Sequence, residues 1–238
     1  MERVLILDTE VDRLTPKQAA VRLSAFLDDP RPHLAVTANP EILLRAHRDS
    51  AYRKLIGSAD LVLADGFGLI IASWLTGHPL PGRTAGADII HQLLEIAEKK
   101  SLEVYFAVNS GGLVRFKEVS QATRRHHLKL IVRGRDLWAG EEASDQTAVI
   151  IVANFGAPDQ ERWLRRNQSS FPKARLLIGV GGALDYLAGR VPRAPLPLRR
   201  LGLEWLWRLV LQPWRLPRIL RATIIFPIVF LTHRPHGN

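Results

Sequence analysis

Asp65 closes the apolar run Leu61-Val-Leu-Ala64 and stands beside Gly66. A carboxylate placed there, next to a residue without a side chain, is accessible to a ligand and can take a proton from an attacking hydroxyl if its surroundings lift its pKa toward the working pH. The same position suits an N-cap for a helix running through Trp74. Placement alone supports cap and base equally. Thr37 and Asn39 end another apolar run just ahead of Pro40. Pro40 fits the first position of a helix with Asn39 as its N-cap, which favours a capping role for Asn39 and leaves Thr37 freer to face a ligand. Arg83 lies in Pro81-Gly-Arg-Thr-Ala-Gly-Ala-Asp88, a glycine-bearing loop leading into a helix. A guanidinium beside a helix N-terminus is a sound phosphate site, and a surface pair with Asp88 is an equal alternative. Gln160, in Pro158-Asp-Gln-Glu161, can hydrogen-bond a base or a sugar, whereas Glu161 is spaced to pair with Arg165 on the surface of one helix.

Gly181 belongs to the turn Gly179-Val-Gly-Gly182. That turn is glycine-rich but is not the six-position dinucleotide fingerprint, and no Gly-Lys-Ser/Thr follows any apolar run, so nicotinamide or ATP use is not supported and no cofactor is expected. No metal is expected either. His126 and His127 are adjacent, while His233 and His236 fall in the terminal tail and read as solvated. No Asp-x-Asp closes a strand, so a pyrophosphate has to be met by arginines and helix dipoles. The chain has no cysteine, which excludes disulfides and thiolate metal sites.

These residues need elements to position them. Apolar runs of strand length recur at 4–7, 34–38, 61–64, 104–108, 128–132, 148–153 and 176–180, mostly separated by segments of helical periodicity such as Ile89, Leu93, Leu94 and Ala97. Near-continuous apolar strands alternating with helices indicate an α/β fold, Rossmann-like, with a mostly parallel sheet covered on both faces. Ligands of such sheets bind where strands end, which is where the polar residues above are placed. Pro192, Pro195 and Pro197 mark a stiff connection, and the expected division is a core of 1–191 followed by an appendage of 192–238.

The net charge of +10 is concentrated in that appendage, where arginines mix with Trp205, Trp207 and Trp214 ahead of an apolar run at 222–231. Leu198, Leu201, Trp205 and Leu209 fall near one helical face and Arg200, Glu204 and Arg208 on another. Pro213 should end that helix, and Pro217 should open a second one through Arg221. The composition suits a segment lying on an anionic bilayer surface. The terminal run is about half the length of a spanning helix and contains Pro227. The N-terminal apolar run is too short for a signal peptide, and a cytoplasmic enzyme peripheral to the inner membrane face is expected.

Taken in order, Thr37-Ala-Asn-Pro-Glu41, Ala64-Asp-Gly66, Arg83-Thr-Ala-Gly-Ala-Asp88, Gly156-Ala-Pro-Asp-Gln-Glu161, the stretch 179–195 and Gly202-Leu-Glu-Trp-Leu-Trp-Arg-Leu209 resemble the WecG/TagA/CpsF family of bacterial glycosyltransferases. The resemblance covers nearly the whole chain. It implies an inverting, metal-independent transferase that moves an N-acetylmannosamine-type sugar from a UDP donor to an undecaprenyl-diphosphate-linked sugar for a cell-surface polysaccharide, often as a homo-oligomer. On that pattern Asp65 is the general base, Thr37, Asn39, Arg83, Gln160 and Gly181 belong to the pocket, and Arg215, Arg218 and Arg221 help neutralise the diphosphate. The turns Phe106-Ala-Val-Asn-Ser-Gly-Gly112 and Arg133-Gly-Arg-Asp-Leu-Trp138 depart from the family's usual sequences at positions that would contact the donor. Two other readings stand beside this one: a non-catalytic module binding membrane or nucleic acid, and a UDP-sugar transferase with a soluble acceptor. An apolar terminal run in place of a groove-reading helix argues against nucleic acid.

Overall fold

A computed structural model describes residues 2–233. Arg234 and His236 of the expected tail therefore lie outside the described residues. In chain order the elements are β1 (Arg3–Ile6), β2 (Thr9–Asp12), α1 (Pro16–Phe26), β3 (His33–Ala38), α2 (Pro40–Arg48), α3 (Ser50–Gly57), β4 (Leu61–Ala64), α4 (Phe67–Leu75), α5 (Gly86–Lys99), β5 (Val104–Asn109), α6 (Phe116–His126), β6 (Val132–Leu137), β7 (Ile150–Ala153), α7 (Asp159–Asn167), β8 (Leu176–Gly179), α8 (Ala183–Leu187), α9 (Leu196–Arg200), α10 (Glu204–Leu211), α11 (Leu216–Leu220) and α12 (Phe226–Thr232).

Six strands form a wholly parallel sheet in the order β4-β3-β8-β7-β5-β6. Alternation along each strand feeds two cores, one on each face. Leu34, Val36 and Ala38 of β3 join Ile151 and Leu177 on one side, and Ala35 joins Ile150, Val152 and Ile178 on the other. The expected α/β class and parallel sheet are what the chain forms.

Two of the expected strands differ. The first apolar run does not enter the parallel sheet; it pairs with β2 as an antiparallel hairpin. Buried Asp12 fixes that hairpin by accepting from Arg3 Nε at 3.0 Å and from the backbone N–H of Val62 at 2.7 Å, so it covers the β4 edge and satisfies a strand donor there. The run 128–132 is not a strand. Glu98 accepts from Lys129 N at 3.0 Å and lies 2.9 Å from His127 Nδ1, which holds this stretch as a turn with Leu128 at 86% exposure. The strand starts at Val132 instead and runs through Arg133, Gly134, Arg135 and Asp136. As an edge strand β6 buries only its ends, so apolar content could not reveal it.

Capping follows the sequence closely. Asn39 Oδ1 accepts from Glu41 N and Ile42 N at the start of α2, and Thr15 and Gln18 form a capping box on α1. The C-terminal segment is more broken than its periodicity suggests. Gly202, at φ +74, separates α9 from α10; an added Cβ would meet the Phe67 ring at 2.5 Å. That close approach lets Phe67 pack on the turn. Pro213 follows the end of α10, and Pro217 lies in the first turn of α11, both as expected. Beyond Leu220 the helix does not stop; it continues through a π-helical turn, Arg221–Ile225, into α12. No helix among the described residues is long and apolar enough to cross a membrane.

Candidate active site

A cleft of about 430 Å³ opens at the carboxyl ends of β3, β4, β7 and β8, and its outer wall is the C-terminal segment. Thr37, Asn39, Asp65, Arg83, Gln160, Gly181, Arg215 and Arg218 all line it, so the fold gathers in one place eight of the nine residues expected from sequence. Arg221 is the exception. It is exposed and sits just behind Arg218, 3.3 Å from Glu41 Oε1. A second, more open hollow of about 620 Å³ lies by the β6 edge among Arg124, Arg133, Arg135 and Asp145, and contains none of the nine.

Asp65 is not the cap of α4, because that helix begins after Gly66 with no side-chain cap bond. Its Oδ2 instead accepts from Gly86 N, the first residue of α5, at 3.1 Å, and Oδ1 lies 3.6 Å from Arg83 Nε. Burial pushes its pKa up, Arg83 and the Gly86 N–H pull it back, and Glu204 and Asp88 add to the rise; the net direction is upward. A carboxylate on a cleft floor with a raised pKa has the properties of a general base.

Arg83 does not pair with Asp88, which is held by Arg193 at 2.9 Å. Arg83 reaches Asp65 on one side and Glu204 of α10 on the other. Its Nε is buried and makes no hydrogen bond, and the same is true of Nε on Arg215. Buried donors outside any hydrogen bond are costly unless a ligand supplies one.

Gln160 serves differently from its expected role. It is 2% exposed, its Oε1 accepts from Gly156 N at 3.2 Å and Gly181 N at 3.0 Å, and its Nε2 donates to Glu161 Oε1 at 2.6 Å. The amide therefore braces two loops of the cleft and has little left to offer a ligand. Gly179 gives it room, since a Cβ there would stand 2.5 Å from Gln160 Nε2. Glu161, expected as a surface partner of Arg165, is fully buried and accepts from the Tyr52 hydroxyl at 2.9 Å. Burial raises its pKa against the opposing bonds from Gln160 and Tyr52. The i, i+4 spacing misled because α7 turns this face onto α3. Thr37 lies at the cleft floor, where its hydroxyl donates to Gly179 O at 2.9 Å, so it too ties strand ends together.

Sequence reasoning missed the acidic half of the site. Asp185, on α8, accepts from Arg208 at 2.5 Å and lies 3.6 Å from Arg215, and Glu41 pairs with Arg218 and Arg221. Arg208, read only as one helical face with Glu204, packs over the Tyr186 ring at 4.6 Å. The signal was present in the inverted character of α10. Glu204 and Gln212 are buried, while Trp205, Leu206, Val210 and Leu211 are exposed, Val210 at 70%. An amphipathic helix that turns its polar side inward and its apolar side to solvent is suited to rest on a second apolar phase.

Burial and crowding both weaken the hold of Arg215 on its proton. Arg215 is pushed down to about 10, first by burial and then by the neighbouring charges of Arg208 and Arg218, against Asp185. Such a group of cations gains most from an added anion.

The end of α12 is also held in place. His233, read as solvated, places Nε2 2.9 Å from Asp8 Oδ1, and His47 Nδ1 lies 2.8 Å from Asp8 Oδ2. These three residues bring ligand-type atoms within 4.8 Å of one another although sequence spacing gives no metal motif, and Arg53 lies 3.5 Å from the same carboxylate. The cluster fastens the end of α12 to the β1–β2 turn and α2.

Residues 4–237 match the Glycosyl transferase WecG/TagA/CpsF family. The chain is 33% identical over 201 residues to an N-acetylglucosaminyldiphosphoundecaprenol N-acetyl-beta-D-mannosaminyltransferase of Bacillus subtilis strain 168, covering 82% of this chain and 78% of that protein. It is 29% identical over 232 residues to the protein of the same name in Staphylococcus aureus strain MRSA252, covering 91% and 88%.

Proposed function

The chain belongs to the WecG/TagA/CpsF family of glycosyl transferases, and on that premise we propose that it transfers an N-acetylmannosamine-type sugar from a UDP donor to the N-acetylglucosamine of an undecaprenyl-diphosphate-linked acceptor, at the inner membrane face and without a metal. The observation that carries this reading is the composition of the cleft: one carboxylate with a raised pKa beside a cluster of arginines, of which Arg83 and Arg215 each keep a buried Nε outside any hydrogen bond.

The residues divide the work. Asp65 takes the proton of the acceptor hydroxyl as its oxygen attacks the anomeric carbon. The bond from that carbon to the diphosphate breaks with both electrons on the leaving oxygen, and UDP departs. Arg83, Arg208, Arg215 and Arg218 stabilise the charge that develops there. Attack opposite the leaving group inverts the anomeric centre. Metal independence is supported by the chemistry of the donor set, because Asp65, Glu204, Asp185 and Glu41 each face an arginine and are already neutralised. Gln160 and Thr37 position the loops and do not touch the reacting atoms.

The segment 192–238 acts as an appendage that completes the cleft and rests on the bilayer through Leu206, Val210, Leu211 and Trp214, with exposed Arg200 available to anionic headgroups. A site completed at the membrane limits donor hydrolysis when no acceptor is present.

UDP release measured over a panel of UDP-N-acetylhexosamines and UDP-uronic acids, with and without a polyprenyl-diphosphate N-acetylglucosamine acceptor, tests this reading. Acceptor-dependent release is expected with UDP-N-acetylmannosamine or a close relative. Binding to anionic vesicles with no release from any donor would instead favour the non-catalytic surface module.

A further inference from the structure

Helix α4 is apolar on every side. Leu69, Ile70 and Ala72 face the core, and the single polar side chain, Ser73, is buried and donates to Ile70 O at 2.7 Å. The remaining large residues, Phe67, Ile71, Trp74 and Leu75, fall at i, i+4, i+7 and i+8, which places them on one outward stripe. That stripe is exposed, Ile71 by 46% and Trp74 by 59%. A helix without a charge that turns a continuous apolar stripe outward needs an apolar phase against it.

Two observations identify that phase. Phe67 and Ile71 also line the cleft, and α4 starts two residues after Asp65, so the stripe runs outward from the reacting end of the site. The facing wall belongs to the C-terminal segment: Ile219, Ala222 and Pro227 line the same cleft opposite α4. Gly68 lies beside that wall, where an added Cβ would be in ordinary contact, 3.9 Å, with Ala222 O and Phe226 Cδ1; the close approach it permits is to Pro40, whose Cγ would stand 2.9 Å away. The π-helical turn Arg221–Ile225 offsets the helix at this point, a feature frequent at functional sites. The result is a slot with a charged floor and apolar sides. The cleft follows α4 from Phe67 to Ile71, and the exposed stripe continues beyond it to Leu75, the helix being about 13 Å long.

We infer that α4 of the core, together with α11 and the start of α12, seats the first isoprenoid units of the acceptor as its chain passes from the cleft to the bilayer. This rests on the lipid-linked acceptor proposed above. It assigns α4 a lipid subsite and extends the membrane-facing surface beyond the appendage.

The test uses the full chain on vesicles and an acceptor carrying a photoreactive diazirine in its first isoprenoid units. Turnover of that acceptor is measured first, and the cross-linked peptides are then mapped. Label on residues 67–75 and 216–227 is expected. Turnover with label elsewhere, or with α4 cross-linked to a second copy of the chain, overturns the inference and leaves the transfer reaction standing. No turnover sinks the transfer reading and this subsite with it. As a second arm, Ile71→Glu should lower kcat/KM for the polyprenyl acceptor at least tenfold more than for the same sugar diphosphate on a short alkyl chain. Equal losses on the two acceptors would also overturn it.

Discussion

Asp65→Asn is expected to lower acceptor-dependent turnover by about 10²- to 10⁴-fold, the usual contribution of a positioned acid or base, without lowering the thermal midpoint. Asparagine keeps an oxygen that can accept from Gly86 N, so the start of α5 is preserved. The stability expectation follows from the pKa. Because the folded protein raises the Asp65 pKa above its ordinary value, the folded state holds that proton more tightly than the unfolded chain. Ionised Asp65 therefore costs stability, and the cost grows as pH rises from the unfolded toward the folded pKa. Removing the charge removes that cost, while Arg83 retains Glu204. Loss of turnover with an unchanged or higher midpoint marks a catalytic group. A fall in both would mark Asp65 as a structural cap of α5.

Arg215→Gln should produce a second large loss, about 10²- to 10³-fold in kcat, comparable to removing one donor to a developing anion. Its contacts explain why stability should not follow. Arg215 has one acidic partner, Asp185 at 3.6 Å, and it is crowded by Arg208 and Arg218. Deleting it relieves like-charge repulsion. Arg208→Gln is the instructive contrast, since it strips a 2.5 Å pair from buried Asp185 and packing from Tyr186, so its thermal midpoint should fall as well. Kinetic assays and thermal melts of the two variants separate the roles. An Arg215→Gln protein with native kcat would remove this arginine from the account of the leaving group.

The parts of the site legible in the sequence are those fixed by local chemistry. Asp65 follows an apolar strand and precedes a glycine, Asn39 precedes a proline, and a strand end carries Gly181, so their placement at the mouth of a parallel sheet follows from periodicity and capping. The class of fold was legible for the same reason, as buried parallel strands are nearly uniform in composition. What could not be read depended on tertiary direction. Glu161 looks like half of a surface pair until α7 is packed on α3. Glu204 and Arg208 read only as one face of a helix until α10 is seen to turn that face into the cleft and leave Leu206 and Val210 exposed. Strand β6 is hidden because an edge strand carries charges where an inner one cannot. Asp8, His47 and His233 are joined only because the tail returns to the amino-terminal hairpin.

The most direct test of Asp65 as the base is the pH dependence of kcat/KM for acceptor-dependent UDP release, measured for the native protein and for Arg83→Gln. The native profile should rise with pH on a limb of unit slope whose midpoint lies above the ordinary aspartate value of about 4. Arg83 holds the Asp65 pKa down against burial, whereas Glu204 raises it; the substitution should therefore move the limb further upward while lowering its plateau. A native profile flat across this range, or a limb unmoved by Arg83→Gln, would contradict the assignment of Asp65 as the group that receives the acceptor's proton.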